Sequence, residues 1–187
     1  MDTQDDVSLA GRARDGDRRA FGELVRRHQD RVFRFLLRLT GSRDDAYDLA
    51  QEAFLRAWQA LPGWRPEAKF ATWLFGIARN AAIDLLRRRG VVEPVAPADV
   101  PERADTSSEP FARLDASQRL ALLGRALAAL SPEHREILLL REVEDMAYNE
   151  IAAALGVGEG TVKSRLARAR AAVMKEFRRI AGENGDE

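Results

Sequence analysis

Four of the chain's seven prolines fall in one stretch, GVVEPVAPADVPERADTSSEPFA, residues 90–112. Each proline removes a backbone donor and disfavours helix, and the stretch holds no sustained apolar period. It reads as an extended, acidic linker, and that reading fixes the organisation of everything else. A first domain is expected over 1–90, a linker over 91–112 and a second domain over 113–187. A chain of 187 residues can supply each half with its own modest core.

On both sides of the linker the apolar residues keep helical time and strand signals are missing, so the fold class is all-α. Phe21, Leu24, Val25, His28, Val32, Phe35, Leu36 and Leu39 step by three and four, closing at Gly41. A second helix runs from about Arg43 to Leu61 on the stripe Ala46, Ala50, Ala53, Phe54 and Ala57. A third, from about Phe70 to Arg89, uses Phe70, Leu74, Ile77, Ala81 and Leu85. After the linker, Ser131-Pro132-Glu133 marks a helix start, with a hydroxyl cap, proline at the first position and an acid near the positive end of the dipole.

Net charge is zero, but the average conceals the pattern. Residues 161–181 carry seven cations and one acid, whereas 91–112 carry one cation and five acids. A polyanion feels that local potential. The chain has no cysteine, which excludes disulfides and thiolate metal sites and suits a reducing compartment. The N-terminal MDTQDDVSLAGRARDGD is acidic and lacks the apolar run of a secretory leader. No stretch approaches eighteen apolar residues, so no membrane insertion is expected and the protein is placed in the cytoplasm. No cofactor is expected either. His28 and His134 are isolated, and no triad, phosphate loop or metal cluster marks an enzyme.

The basic stretch has a form of its own. Tyr148, Ile151, Ala152 and Leu155 make one short apolar face, GVGEG interrupts, and Val162, Leu166, Ala169 and Val173 make a second: helix, turn, helix. The second stripe spans only about 60°, which leaves Lys163, Ser164, Arg165 and Arg168 off the seam. A helix held by a narrow seam and offering cations and a hydroxyl suits the major groove of DNA. The plainer alternative is a solvated basic surface helix.

In the first half, Trp64, Phe70, Trp73 and Phe75 are interleaved with Arg65, Lys69 and Arg79. Aromatics among cations suit unpaired bases, each stack contributing about 1–3 kcal/mol. They equally suit a core, where Phe70 and Trp73 belong in either case, leaving Trp64 and Arg65 as the better candidates for a base. Phe75, Ile83 and Leu86 lie opposite the core stripe of their helix, so a neighbour covers both faces or one face meets a ligand. On the preceding helix Asp48, Gln51, Glu52 and Leu55 lie opposite the alanine stripe, which puts a leucine amid acids and amides. Such a residue suggests a protein-docking patch, although single exposed leucines are common.

DDAYDLAQEAFLRAWQAL, FATWLFGIARNAAIDLLRRR and SPEHREILLLREVEDMAYNEIAAALGVGEGTVKSRLARAR, in that order, resemble the successive signatures of extracytoplasmic-function sigma factors, initiation factors of bacterial RNA polymerase. The resemblance implies two helical domains, sigma domain 2 and a sigma domain 4 with a helix-turn-helix, joined by the linker. It implies core RNA polymerase and promoter DNA as partners, the DNA both as duplex and as melted non-template strand, and an anti-sigma protein as antagonist. Asp48, Gln51, Glu52 and Leu55 would dock polymerase. Trp64, Arg65 and Lys69, with Asn80 and Asp84, would select an extruded base of the minus-10 element, and Lys163, Ser164, Arg165 and Arg168 would read the minus-35 element. Two departures stand out: Ala147 replaces a usual serine cap, at about 1 kcal/mol, and Asp145-Met146 replaces a common Gly-Leu. Fully extended, the 23 residues of 90–112 reach about 70 Å at ~3.1 Å each, close to two duplex turns of ~34 Å. A conventional helix-turn-helix regulator, the main competing reading, leaves the aromatic cluster and the Leu55 face unused, and a protein-only adaptor leaves the cations unused.

Overall fold

Asp17 accepts hydrogen bonds from the amides of Arg19 and Ala20 at 2.9 and 3.1 Å and so starts the long apolar-striped helix of the first half. In the computed structural model, which describes residues 3–67, 69–90 and 115–183, that helix is α2, Arg18–Thr40. It ends as expected at Gly41, whose φ of 74° is the left-handed conformation that glycine adopts without strain. Before it lies α1, Thr3–Arg14. After it come α3, Arg43–Ala60, started by the Ser42 hydroxyl, a short 3₁₀ turn at Leu61–Gly63, and α4, Phe70–Arg88. The linker expected over 91–112 lies outside the described residues.

Beyond it, Asp115 and Gln118 exchange side-chain-to-amide bonds of 2.8 and 3.0 Å and open α5, Ala116–Ala129. Ser131 accepts from the His134 amide at 3.4 Å and starts α6, Pro132–Leu138, with proline first as the sequence indicates. A π-helical turn, Leu139–Val143, leads to α7, Tyr148–Leu155, and α8, Glu159–Glu183. No strand forms among the described residues, and none of their helices is long and apolar enough to cross a membrane.

The first core is built where the periodicity places it: Leu24, Val32, Phe35, Leu36 and Leu39 of α2 meet Ala46, Ala53 and Ala57 of α3 and Phe70, Leu74 and Ala81 of α4, all buried. Alanines along α3 let its axis come close to its neighbours. Phe75, Ile83 and Leu86 are buried too, with Phe75 edge-on to Phe35 at 5.3 Å, so neighbours cover both apolar faces of α4. α1 is pinned by its buried Leu9, Ala10 and Ala13 and by Asp6, whose carboxylate lies 2.8 Å from Nε2 of the fully buried His28. His28 is therefore a packing residue. In the second half α8 lays Val162, Leu166, Ala169, Val173, Phe177 and Ile180 against α5, α6 and α7.

The two halves touch. Arg135 of α6 donates to the carbonyl oxygens of Leu127, Ala128 and Leu130 at the end of α5, and its Nη1 reaches across to that of Leu39 at 2.8 Å. Gly76 of α4 has no side chain, and Ala154 of α7 packs over it, its carbonyl oxygen 3.6 Å from where a Cβ would stand.

Candidate nucleic-acid and protein interfaces

The turn that aims α8 is built from both sides. Gly156 adopts φ 65° at the end of α7, and its amide and that of Val157 donate to the carbonyls of Ala153 and Ala152. The Gly158 carbonyl accepts the Val162 amide at 3.1 Å, starting α8. On the entry side Arg141 donates to the Met146 carbonyl at 2.7 Å and lies 5.4 Å from the centre of the Tyr148 ring. Asp145 sits at φ 52°, a left-handed conformation that glycine adopts without strain. Ala147 offers no cap oxygen, yet Glu150 still reaches back to its amide at 2.8 Å, half of a capping box.

On α8 the buried seam is the expected one. Lys163 is exposed, and Ser164, Arg165 and Arg168 are half-buried along its flanks. The Ser164 hydroxyl donates to the Thr161 carbonyl at 3.0 Å, and Arg168 Nε donates to the Ser164 carbonyl at 3.3 Å. Lys163, Arg165 and Arg168 thus all lie in the N-terminal half of one helix.

In the first half, Trp64, Phe70 and Trp73 form one aromatic cluster with ring centres 5.6–6.4 Å apart. Trp64 is only 4% exposed and its indole N–H meets no acceptor among the described residues. In this arrangement Trp64, expected among the base contacts, packs edge-on to Phe70 and tilted against Trp73 and shapes the loop before α4, because burying so large an apolar surface outweighs exposing it. Arg65 and Lys69, on the same loop, are exposed, as are Asn80 and Asp84 one helical turn apart on α4. Asn80 Oδ1 accepts from Arg79 at 3.0 Å.

The third surface lies between α2 and α3. Phe21, Val25, Phe33, Tyr47, Phe54 and Leu55 line an apolar groove, with Trp58 against Phe21 at 4.9 Å between ring centres. Tyr47 is 60% and Leu55 64% exposed, so the lip of this groove is apolar and wet. Gln51 lies on the same wall, Asp48 borders an adjoining depression with Arg43, and Glu52 is paired with Arg56 at 2.6 Å. The structure therefore brings Asp48, Gln51, Glu52 and Leu55 onto one helix face beside a groove that periodicity alone did not reveal. Phe21 and Val25, taken in the sequence as core positions, are partly buried and form its floor. Among the described residues no cluster of three or more potential metal-ligating acids and histidines occurs.

Comparison with known proteins places both halves. Residues 24–91 match the family described as Sigma-70 region 2, and residues 120–173 match Sigma-70, region 4. The chain is 39% identical over 152 residues to the ECF RNA polymerase sigma factor SigE of Mycolicibacterium smegmatis, a match spanning 81% of this chain and 59% of that protein. It is 34% identical over 176 residues to the ECF RNA polymerase sigma-E factor of Escherichia coli, spanning 90% of this chain and 92% of that one. Among solved structures, CnrH in complex with the cytosolic domain of CnrY aligns with a TM-score of 0.68 and 30% identity, covering 91% of this chain and 96% of that one. The sigma factor RpoE of Bartonella quintana, in complex with the anti-sigma factor NepR, aligns with a TM-score of 0.63 and 27% identity, covering 84% and 96%.

Proposed function

Because the chain belongs to the extracytoplasmic-function sigma factors of the sigma-70 family, we propose that it binds core RNA polymerase in the cytoplasm, recognises a two-part promoter and starts transcription of a dedicated set of genes. The single observation that carries this over a free-standing DNA-binding regulator is the groove between α2 and α3. A regulator that works alone has no use for an apolar groove lipped by Tyr47 and Leu55 on the first half, far in sequence from its helix-turn-helix.

The roles divide by domain, 1–90 for docking and strand opening, 113–187 for duplex reading, with 91–112 as the span between them. Asp48, Gln51, Glu52 and Leu55 meet polymerase. Arg65 and Lys69, with Asn80 and Asp84, face the melted non-template strand at the minus-10 element, and Trp64 holds their loop in shape. Lys163, Ser164, Arg165 and Arg168 address the minus-35 duplex, where Arg and Lys reach guanine edges or phosphates and Ser bonds either. The chain performs no bond chemistry of its own. An anti-sigma protein is its expected antagonist, in keeping with the complex recorded for the Bartonella quintana relative.

The experiment is reconstitution of the host's core polymerase with and without the chain on sheared host genomic DNA. Transcripts with defined 5′ ends that appear only in the chain's presence support the reading. Identical transcripts in both reactions contradict it.

A further inference from the structure

α1, Thr3–Arg14, lies ahead of residues 24–91, over which the chain matches Sigma-70 region 2, and it carries none of the docking or DNA-reading residues. It is nevertheless fastened beside the loop Trp64–Lys69. Its Leu9, Ala10 and Ala13 are buried, and the helix packs against α2, against the 3₁₀ turn Leu61–Gly63 and against α4, the last two being the elements that the loop joins.

The buried end of this fastening is polar. Asp6 is 5% exposed; its Oδ2 lies 2.8 Å from Nε2 of His28, and its Oδ1 accepts from Nη1 of Arg27 at 3.3 Å. A carboxylate only accepts, so Nε2 of His28 carries the proton and donates it. Arg27 also pairs with Asp5 at 2.6 Å and Glu23 at 3.0 Å, which ties the same corner from outside. The His28 ring has no exposed surface and lies tilted against Phe70, 5.6 Å between ring centres. Phe70 opens α4 directly after the loop, and Trp64 at the loop's other end packs edge-on to it at 6.1 Å. Both ends of the loop therefore converge on one ring, and the His28 imidazole backs that ring. Asp6, Lys69 and Phe70 also border one small cavity.

We propose that Asp6 and His28 are positioning residues for minus-10 recognition: α1 delivers a carboxylate that sets the His28 ring, the ring backs Phe70, and Phe70 with Trp64 holds Arg65 and Lys69 where they meet the extruded base. This rests on the reading of the loop and the start of α4 as the minus-10 surface.

Two features set this arrangement apart from a simple clasp. An apolar contact of the same size would fasten α1 at least as tightly, since buried polar pairs add little net stability, but it would leave the ring at position 28 free to turn about its broad χ2 well. In addition, Nδ1 of His28 is buried and has no hydrogen-bond partner among the described residues, so the bond to Asp6 is the one that orients the ring.

Asp6→Ala removes the acceptor, whereas Asp6→Asn keeps an oxygen for the His28 N–H and serves as the conservative rescue. Hydrogen exchange on the free, full-length chain gives the first reading. In Asp6→Ala the amides of α1 and of 64–70 are expected to exchange about tenfold faster, with those of α5 to α8 unmoved, as a local opening requires; Asp6→Asn should restore the slow rates. The second reading uses core polymerase and a chain-dependent promoter, with its own minus-10 element and with single base changes in it. The ratio of transcripts between the original element and its most damaging change should narrow about fivefold in Asp6→Ala, the effect of one misplaced base contact, and widen again in Asp6→Asn. Unmoved exchange at 64–70, exchange raised equally throughout the chain, or transcription lowered equally on every template would each overturn the proposal. An unaltered chain that starts no transcripts, or that ignores every minus-10 change, would instead contradict the initiation reading, while exchange in the free chain reports on Asp6 and His28 by itself.

Discussion

Arg79 on α4 grips Glu136 on α6 through Nε and Nη2 at 2.6 and 2.9 Å, and Glu136 has no exposed surface. Burial pushes the Glu136 carboxyl above its ordinary range, and the Arg79 guanidinium only partly offsets that. The pair joins domains whose sequences lie on opposite sides of the linker, so its partners meet only when the domains do. Glu136→Ala leaves the guanidinium uncompensated at the junction, which weakens the closed arrangement by about 3–5 kcal/mol. Small-angle scattering should show a larger radius of gyration with unchanged helix content by circular dichroism. An unchanged radius would mean that the pair does not hold the halves together.

Leu55 offers a test of the docking groove that leaves the fold alone. It is well exposed on α3, so Leu55→Asp should change stability by no more than about 0.5 kcal/mol. An apolar anchor lost from a protein interface costs about 2 kcal/mol, roughly thirtyfold in affinity. Competition binding to core polymerase measures it, and an unaltered affinity would remove Leu55 from the interface.

The legible part of this molecule was the part with a short memory along the chain. The period of three and four along α2, α3 and α4, the Gly41 stop, the Ser131-Pro132 start and the helix-turn-helix all follow from residues within a turn or two of each other, and all form. What stayed hidden depends on distant partners. α1 has little apolar stripe of its own, and Asp6 acquires its purpose from Arg27 and His28, 21 and 22 positions later. Trp64 looked accessible because Pro66 and charges flank it, yet Phe70 and Trp73 fold back over it. The groove under Leu55 needs Phe21 and Val25 from another helix. No local pattern announces that Lys69 and Arg79 will find carboxylates about 60–80 residues downstream.

His28 gives the stability a pH dependence. Burial pushes its imidazole below the ordinary value of 6.5, with Asp6 opposing and Arg31 and Arg27 reinforcing the shift. Between the lowered folded value and 6.5 the unfolded chain binds more protons, so stability is full above that window and falls as pH drops through it. His134, the chain's other histidine, shifts in the same direction, chiefly by burial. Melting temperature should therefore decline from about pH 7.5 to about 5.5, and His28→Gln should flatten that decline while leaving the share of His134. A slope unaltered by the substitution would acquit His28.

Ala147 marks a place where stability can be added. Its φ of −69° and ψ of 159° are those of a helix cap, and Glu150 already bonds its amide. Ala147→Ser supplies the missing oxygen and should raise the stability of the second half by about 1 kcal/mol. Urea unfolding followed by helix signal would show a higher midpoint at the same slope. An unmoved midpoint would mean that the Glu150 bond alone satisfies the start of α7.

Permanganate footprinting reads strand opening by a polymerase-bound chain directly. On a genomic fragment carrying a chain-dependent start site, thymines of the non-template strand around the minus-10 element should become reactive only when core polymerase and the chain are both present. Reactivity with core polymerase alone, or none with both, would contradict it.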